Sequence, residues 1–403
     1  MARSYNITTG IDIGSSSIKI LSAERKNGSS ILNIVGLGER RSPGIRRGYI
    51  VDHEEILRNL RETLRSVEKA SGSPVKHAYV ALSGIGLNSL KSRSGVLVVS
   101  KADEEVTEYD LKRAVAKSEE NMQNMANRKI LHAIPLLFKL DGAQVLGKPI
   151  GMRGTKLEAE MLFVTGLSQH IGDIVKVVES AGVAVDDIIA SPIASALPVT
   201  TKPEREVGCA VINIGAGTVS LAVFEEGRLI SLEVFPIGSM HITNDIALGM
   251  QVPLEDAERL KTEYGSGSGE SSKRKLSDII EARLNDIFEL VESHLKKINR
   301  NGLLPAGIVL TGGGSRLLNL HEVVKDNLRL PARVGVVCSG RDFPFTITSQ
   351  SNSLRDQVLN NPEWTTALGL CMSASAEDFY GTSAAFGGKV RNILSKIFES
   401  LIP

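Results

Sequence analysis

Hydrophobic and polar residues alternate in three short runs near the start of the chain, at 7–13, 17–23 and 31–37. Each predicts a β-strand. The runs are broken by Gly14-Ser15-Ser16 and by Lys26-Asn27-Gly28. The period then changes. Over 51–70, Ile56, Leu60, Leu64 and Val67 recur at helix spacing, with Asp52 placed to cap the start and Gly72 to stop the end. A buried-type strand at 78–82 ends at Ser83-Gly84. From there the pattern predicts a strand at 95–100, a helix opened by Thr107 through Asn121, and strands at 130–140 and 158–165, enough for a small α/β unit. A helix at 169–181 and a strand at 185–189 follow, and Ser191-Pro192 opens another helix with proline in its first turn.

The run 211–221 is again strand, small-residue turn, strand: Asn213 and Ile214 lead into Gly215, Ala216, Gly217 and Thr218. It repeats the pattern around Asp12, Gly14, Ser15, Ser16 and Lys19, roughly two hundred residues earlier. Glycines let backbone N–H groups approach an anion, so two such turns facing each other can hold a phosphate chain. A third stretch, Ile308 to Arg316, is a strand ending in Gly312-Gly313-Gly314, followed by a helical pattern over 317–328. Bare backbone of this kind lets a flat ring or a sugar lie close. Between the second and third stretches come a strand at 229–235, a turn at 236–239, and helices at 242–248 and 255–263. The last of these sets Glu258 and Lys261 one turn apart on one face. A flexible Gly/Ser loop at 265–269 precedes a long helix over 273–299.

At 403 residues the chain is long enough for two large domains, and 42% hydrophobic content is ample for their cores. A net charge of +1 provides no overall field for nucleic acid. Cys209, Cys338 and Cys371 are scattered in apolar surroundings, which points to buried free thiols in a reducing compartment. No metal-type cluster, signal peptide or apolar run of about 18 residues is visible in the sequence, so a cytoplasmic location is expected.

The order of the three glycine-containing stretches resembles the actin-like ATPase superfamily: first phosphate loop, second phosphate loop, adenosine loop. The resemblance sharpens to the FtsA cell-division family at Ala81-Leu82-Ser83-Gly84, Glu105-Val106-Thr107, His132-Ala133-Ile134-Pro135 and 149–158, and it runs from about Gly10 to Met372. It implies an α/β actin-like fold: two large domains with ribonuclease-H-like cores around a nucleotide cleft, an FtsA-type IC subdomain and a C-terminal amphipathic helix. The implied division is 1–82 with 165–203 and 363–375 as subdomain IA, 83–164 as IC, 204–238 with 303–362 as IIA, and 239–302 as IIB. The remainder is a linker at 376–388 and a helix at 389–403.

The resemblance implies ATP with Mg2+ as ligand. Asp12 would face the metal through water, and Asp12 with Lys19 would support metal and phosphates. Gly14, Ser15, Ser16, Asn213, Gly215, Ala216, Gly217 and Thr218 would surround the phosphates; Glu258, Lys261, Gly312, Gly313, Gly314 and Arg316 would lie by the adenosine. Read from the residues alone, Lys19 also fits a solvated strand lysine, and Glu258–Lys261 a surface ion pair. The pattern Ser-Asp-Ile-Ile-Glu-Ala-Arg at 277–283 is similar to the FtsA helix that receives the acidic C-terminal peptide of FtsZ, which makes Lys275 and Arg283 candidates for that contact. A solvated basic face is the other reading. Residues 362–369 resemble the family's closing helix, which returns to the first domain.

Three departures stand out. Asn213 occupies the place of the aspartate that usually orders the metal's water shell, and an amide lacks its charge. Ser191 stands where some members carry a glutamate that orients water, and Ala216 replaces a glycine, which requires a negative φ. Slow or absent hydrolysis is expected. In the tail, Val390, Ile393, Leu394, Ile397, Phe398 and Leu401 recur at helix-face spacing behind a small-residue linker. Such a helix fits an anionic membrane surface or the protein's own surface. The leading expectation is therefore an ATP-binding, filament-forming FtsA-like protein that anchors FtsZ at the cytoplasmic face of the division site. A PilM-like pilus scaffold of the same fold is the alternative; a sugar kinase of the superfamily would need a catalytic cleft aspartate, for which the sequence offers no local match.

Overall fold

The three alternating runs form β1 (Tyr5–Ile13), β2 (Ser17–Lys26) and β3 (Ile31–Arg41), an antiparallel meander. The computed structural model describes residues 5–26, 30–99, 105–123, 125–263, 270–338, 345–349, 351–373 and 382–383. A small ribbon, β4 (Ile45–Arg46) and β5 (Tyr49–Ile50), leads into α1 (His53–Ser71). Asp52 caps α1 by accepting from Glu55 N at 3.0 Å, and Gly72 ends it in the left-handed region; such a cap contributes about 1 kcal/mol. The apolar stripe Ile56, Leu60, Leu64 and Val67 is buried as the periodicity predicts. β6 (His77–Leu82) pairs parallel with β1.

The insert begins here. It comprises β7 (Asn88–Arg93), β8 (Leu97–Val98), α2 (Glu108–Glu120), β9 (Arg128–Leu140), β10 (Ala143–Val145) and β11 (Lys156–Leu167). Thr107 and Asp110 form a reciprocal capping box at the start of α2. The sheet, ordered β10-β9-β11-β7, has its own core around Leu111, Val115, Phe138, Met161 and Phe163. The strand expected at 95–100 shrinks to Leu97–Val98, because Gly95 at φ 71° turns the chain before it reaches β11. β7 was not foreseen.

The chain returns through α3 (Ser168–Ser180) and β12 (Ala184–Ala190), then crosses to the second lobe by α4 (Ser191–Ala196) and a short α5 (Lys202–Val207). That lobe contains β13 (Cys209–Ile214), β14 (Val219–Glu225), β15 (Arg228–Phe235), α6 (Ser239–Met250), α7 (Leu254–Thr262), α8 (Glu270–Lys297), β16 (Ile308–Thr311), α9 (Leu320–Leu328) and β17 (Ala332–Val334). Its sheet order is β15-β14-β13-β16-β17. The first lobe repeats it: β3-β2-β1-β6-β12, again a meander followed by two parallel strands. Strand alternation sends Ala210, Ile212 and Ile214 toward the core that holds Ile280, Leu284 and Phe288 of α8. Cys209 and Val211, on the opposite face, join the core of the first lobe.

β18 (Thr346–Ser349) pairs parallel with β3, so the stretch 303–362, expected wholly in the second lobe, divides between the two sheets. The chain ends through α10 (Asn352–Leu359), a 3-10 turn at Pro362–Trp364 and α11 (Thr365–Ser373). α11 packs on β1 and crosses α4. A Cβ on Gly10 would meet Ala367 O at 2.5 Å and one on Gly369 would meet Ala194 O at 1.8 Å, so both crossings depend on glycine. The helix expected over 317–328 starts at Leu320, because Gly313–Arg316 winds as a 3-10 turn and Asn319 sits at φ 57°. The linker at 376–388 and the helix at 389–403 lie outside the described residues, except β19 (Thr382–Ser383), which pairs with Ala133 and His132 of β9. Among the described residues no helix is long and apolar enough to cross a membrane. Cys209 and Cys371 are buried free thiols, both pushed up to about 12 by burial, and Cys338 is half-buried.

Candidate functional site

The two small-residue turns close in the same way. Gly14 N donates to Ser17 O at 3.1 Å and Gly215 N donates to Thr218 O at 2.9 Å. Ala216 is absent from the residues with positive φ, which meets the requirement set by its Cβ. The turns face each other across the lobes: a Cβ on Gly217 would lie 2.9 Å from Ser15 Oγ. The triple-glycine loop packs against the strand that opens the second turn. Gly312, at φ 81°, would bring a Cβ within 2.3 Å of Asn213 Oδ1, and Gly314 within 2.4 Å of Ile214 Cγ2. A Cβ on Gly313 would meet nothing within 4 Å. Gly312 N also donates to Pro362 O at 3.1 Å, which ties this loop to the closing helix.

Asp12 and Lys19 stand opposite each other in the β1–β2 register. Burial pushes the Asp12 carboxyl up to about 6, with the Lys19 charge opposing. The Lys19 ammonium, however, bonds elsewhere: Ser17 Oγ at 2.6 Å, Glu39 Oε1 at 2.9 Å and Glu363 Oε2 at 3.5 Å. Burial raises and Lys19 lowers the Glu39 carboxyl, and the net shift is downward. Glu363 reaches Arg316 as well, at 3.1 Å, so one carboxylate at the start of the closing helix joins the first hairpin to the glycine loop. Neither Glu39 nor Glu363 was singled out by sequence. The Pro-Glu-Trp triplet before the last helix was the one available signal.

Glu258 and Lys261 form more than a surface pair. Lys261 is buried, and its Nζ lies 2.7 Å from Glu258 Oε2, 2.9 Å from Thr243 Oγ1 and 3.4 Å from Ser239 O. Thr243 Oγ1 donates to Glu258 Oε2 at 2.6 Å. Burial raises the Glu258 carboxyl, the Lys261 and Thr243 hydrogen bonds lower it, and the net is downward, helped by the charge of Arg41 from the first lobe. Ser239 N donates to Gly215 O and Met240 N to Ala216 O, both at 2.9 Å, so the N-terminus of α6 rests on the second turn. Gly238 allows this approach, since a Cβ there would lie 2.6 Å from both carbonyl oxygens. Ser239 and Thr243 escaped the sequence reading because nothing local marks them.

The first turn carries a brace of its own. Ser42 donates through Oγ to Gly14 O at 2.5 Å and through N to Ser16 O at 3.0 Å, and Gly48 N donates to Ser15 Oγ at 3.2 Å. On α8, Lys275 is exposed, whereas the Arg283 fork is held by Asp245 at 2.5 and 3.0 Å and by Asp286 at 3.0 Å. Among the described residues no group of three or more His, Cys, Asp or Glu could hold a metal. Val390, Ile393, Leu394, Ile397, Phe398 and Leu401 lie outside the described residues.

Two family models match the chain: "Cell division protein FtsA" over residues 210–369 and "SHS2 domain inserted in FTSA" over 87–165, the latter on the insert. The chain is 30% identical to the cell division protein FtsA of Pseudomonas aeruginosa, over 96% of this chain and 93% of that protein. It is 31% identical to FtsA of Bacillus subtilis, over 80% and 77%. Among solved structures it resembles a PilM-PilN type IV pilus biogenesis complex, with TM-score 0.68, 18% identity, and 91% of this chain and 98% of that one covered. It also resembles the ethanolamine utilization protein EutJ from Carboxydothermus hydrogenoformans, with TM-score 0.54, 16% identity and coverage of 91% and 90%. At these identities the structural likenesses show the fold alone, and they bear out the expected actin-like architecture.

Proposed function

The chain belongs to the FtsA family of cell-division proteins, and from that premise we propose that it binds ATP between its lobes, assembles into filaments and holds FtsZ at the cytoplasmic membrane of the division site. The observation that carries the nucleotide part is the meeting of two identically closed turns, Gly14–Ser17 and Gly215–Thr218, at Ser15 and Gly217. Their backbone N–H groups would hold the phosphates, and Gly312–Gly314 would hold the adenosine, with Arg316, Glu258 and Lys261 beside it. The half-buried carboxylate of Asp12 would hold a hydrated magnesium ion through its waters. Bound there, the ion would neutralise phosphate charge. Asn213 and Ser191 support slow hydrolysis, since neither supplies a charge to order or activate water.

Lys275 and Arg283 on α8 would receive the acidic C-terminal peptide of FtsZ, with the peptide exchanging against Asp245 for the Arg283 fork. The tail residues Val390, Ile393, Leu394, Ile397, Phe398 and Leu401 would lie on an anionic membrane, with Lys389, Arg391 and Lys396 adding roughly 1 kcal/mol each near the surface. Filaments presenting many tails at once would strengthen this binding. The test has two arms. Immobilised FtsZ C-terminal peptide should retain the protein, and anionic liposomes should sediment the full chain but leave a chain ending at Gly387 in solution. A peptide that retains nothing, together with a shortened chain that sediments as well as the full one, would overturn the adaptor reading.

A further inference from the structure

The β4–β5 ribbon ends in a tip of two residues, Arg47 and Gly48, because Ile45 pairs with Ile50 and Arg46 with Tyr49. Both tip residues have positive φ, 50° and 86°. That is the pattern of a type I′ hairpin turn, which favours Asn-Gly or Gly-Gly. An arginine in the left-handed region is uncommon and unfavourable, and it persists only where its surroundings over-determine the backbone. Here they do. A Cβ on Gly48 would come within 2.4 Å of Gly84 Cα, and Gly48 N donates to Ser15 Oγ at 3.2 Å. On the other lobe, a Cβ on Gly217 would lie 3.3 Å from Arg47 N. The tip is therefore wedged where the two phosphate-type turns meet, in contact with both. Arg47 is exposed, and among the described residues its guanidinium has no hydrogen bond or ion pair.

We propose that Arg47 is a specificity residue for the terminal phosphate of a nucleoside triphosphate. This rests on the ATP reading above. Position along the second turn supplies the argument for the terminal phosphate. The glycine loop at Gly312 lies against Asn213 and Ile214, where that turn begins, whereas Arg47 lies beside Gly217, further along it. A nucleotide with its nucleoside on the glycine loop thus extends its phosphates toward Arg47. A guanidinium fork binds phosphate oxygens bidentately, and an unpaired arginine surrenders no existing partner to do so.

The test uses Arg47→Gly in the full chain, which keeps the left-handed backbone while removing the cation. Calorimetry with Mg-ATP and Mg-ADP is paired with thermal unfolding. ATP should bind about tenfold more weakly and ADP within about twofold of the parent, with a melting temperature no lower than the parent's. Arg47→Asn, which also tolerates this backbone, should behave alike, and Arg46→Ala should change neither affinity. ATP affinity within about twofold of the parent, or an equal loss for ATP and ADP, would overturn the assignment. A parent protein that binds neither nucleotide would overturn the ATP reading itself, and this inference with it.

Discussion

Ser15 of the first turn and Gly217 of the second touch across the two lobes, so closely that a side chain at 217 would press on both Oγ and Cβ of Ser15, at 2.9 and 3.1 Å. The distance between the two sets of backbone donors is thereby set by the absence of a Cβ at one residue. Gly217→Val should push the turns apart and weaken ATP binding about tenfold. The change in folding stability should stay at about 1 kcal/mol, because the closest group is the short, half-buried Ser15 side chain and the backbone contact at Arg47 N is looser, at 3.3 Å. Calorimetry and urea denaturation of the same variant separate the two effects, and a variant with parental affinity would show that ATP does not need both turns.

Gly313 offers the complementary case. A Cβ there meets nothing within 4 Å and the residue does not have positive φ, so Gly313→Val should fold with stability within about 0.5 kcal/mol of the parent. Any ligand lying on the loop would meet the new side chain, and ATP binding should be lost. Undiminished binding by calorimetry removes Gly313 from the nucleotide site.

Asn213→Asp tests the slow-hydrolysis reading. Asn213 Nδ2 lies at 3.5 Å from Thr366 Oγ1, and a carboxylate in its place can accept from the same hydroxyl, so the site tolerates the change. Phosphate release should rise about tenfold if the missing charge limits metal positioning. Equal rates for the two proteins would place the limitation elsewhere.

Asp245 competes with any acidic peptide for Arg283. Asp245→Asn should therefore raise affinity for the FtsZ C-terminal peptide about fivefold at low salt, measured by fluorescence anisotropy. The double variant Asp245→Asn with Arg283→Ala should lose the gain. Affinity that does not respond to Asp245→Asn would mean that the peptide bypasses Arg283.

Three histidines make the fold acid-sensitive. Burial lowers His132 to about 3 and His294 to about 4, the latter helped by Lys297, and burial lowers His170 despite its bond to Ser83 O. Below about pH 6.5 the unfolded chain takes up protons that the native protein refuses, so stability falls as pH drops, by up to about 1.4 kcal/mol per pH unit for each histidine. Asp12 acts oppositely: its raised carboxyl favours the native state as pH falls from about 6 toward 4, and it offsets roughly one histidine. Urea denaturation at pH 7.5 and 5.5 should show the loss, and His294→Gln should reduce the slope between them. A flat profile would refute neutral burial.

Much of this is legible in the sequence. Asp52 and Gly72 bounded α1, Thr107 opened α2, and the alternation around Asp12 and Asn213 marked the two hairpins. The missed residues share a cause. Arg47 sits in a ribbon with two residues per strand, too short to show a period, and Glu363 and Thr243 gain their roles from partners far away in the chain. Lys19 was expected beside the metal site, and its ion pairs with Glu39 and Glu363 follow from how β3 and the closing helix flank β2.

Where α1 and α2 are capped and where the two hairpins turn was determined by sequence alone, because backbone sterics and side-chain period act over a few residues. Which turns meet was decided only by tertiary structure. Ser15 and Gly217 touch because β1–β3 and β13–β15 pack their buried faces through α4 and α11, whose crossing at Ala194 and Gly369 sets the spacing of the lobes. No local pattern encodes that distance. It emerges from close packing of apolar surfaces on elements far apart in the chain.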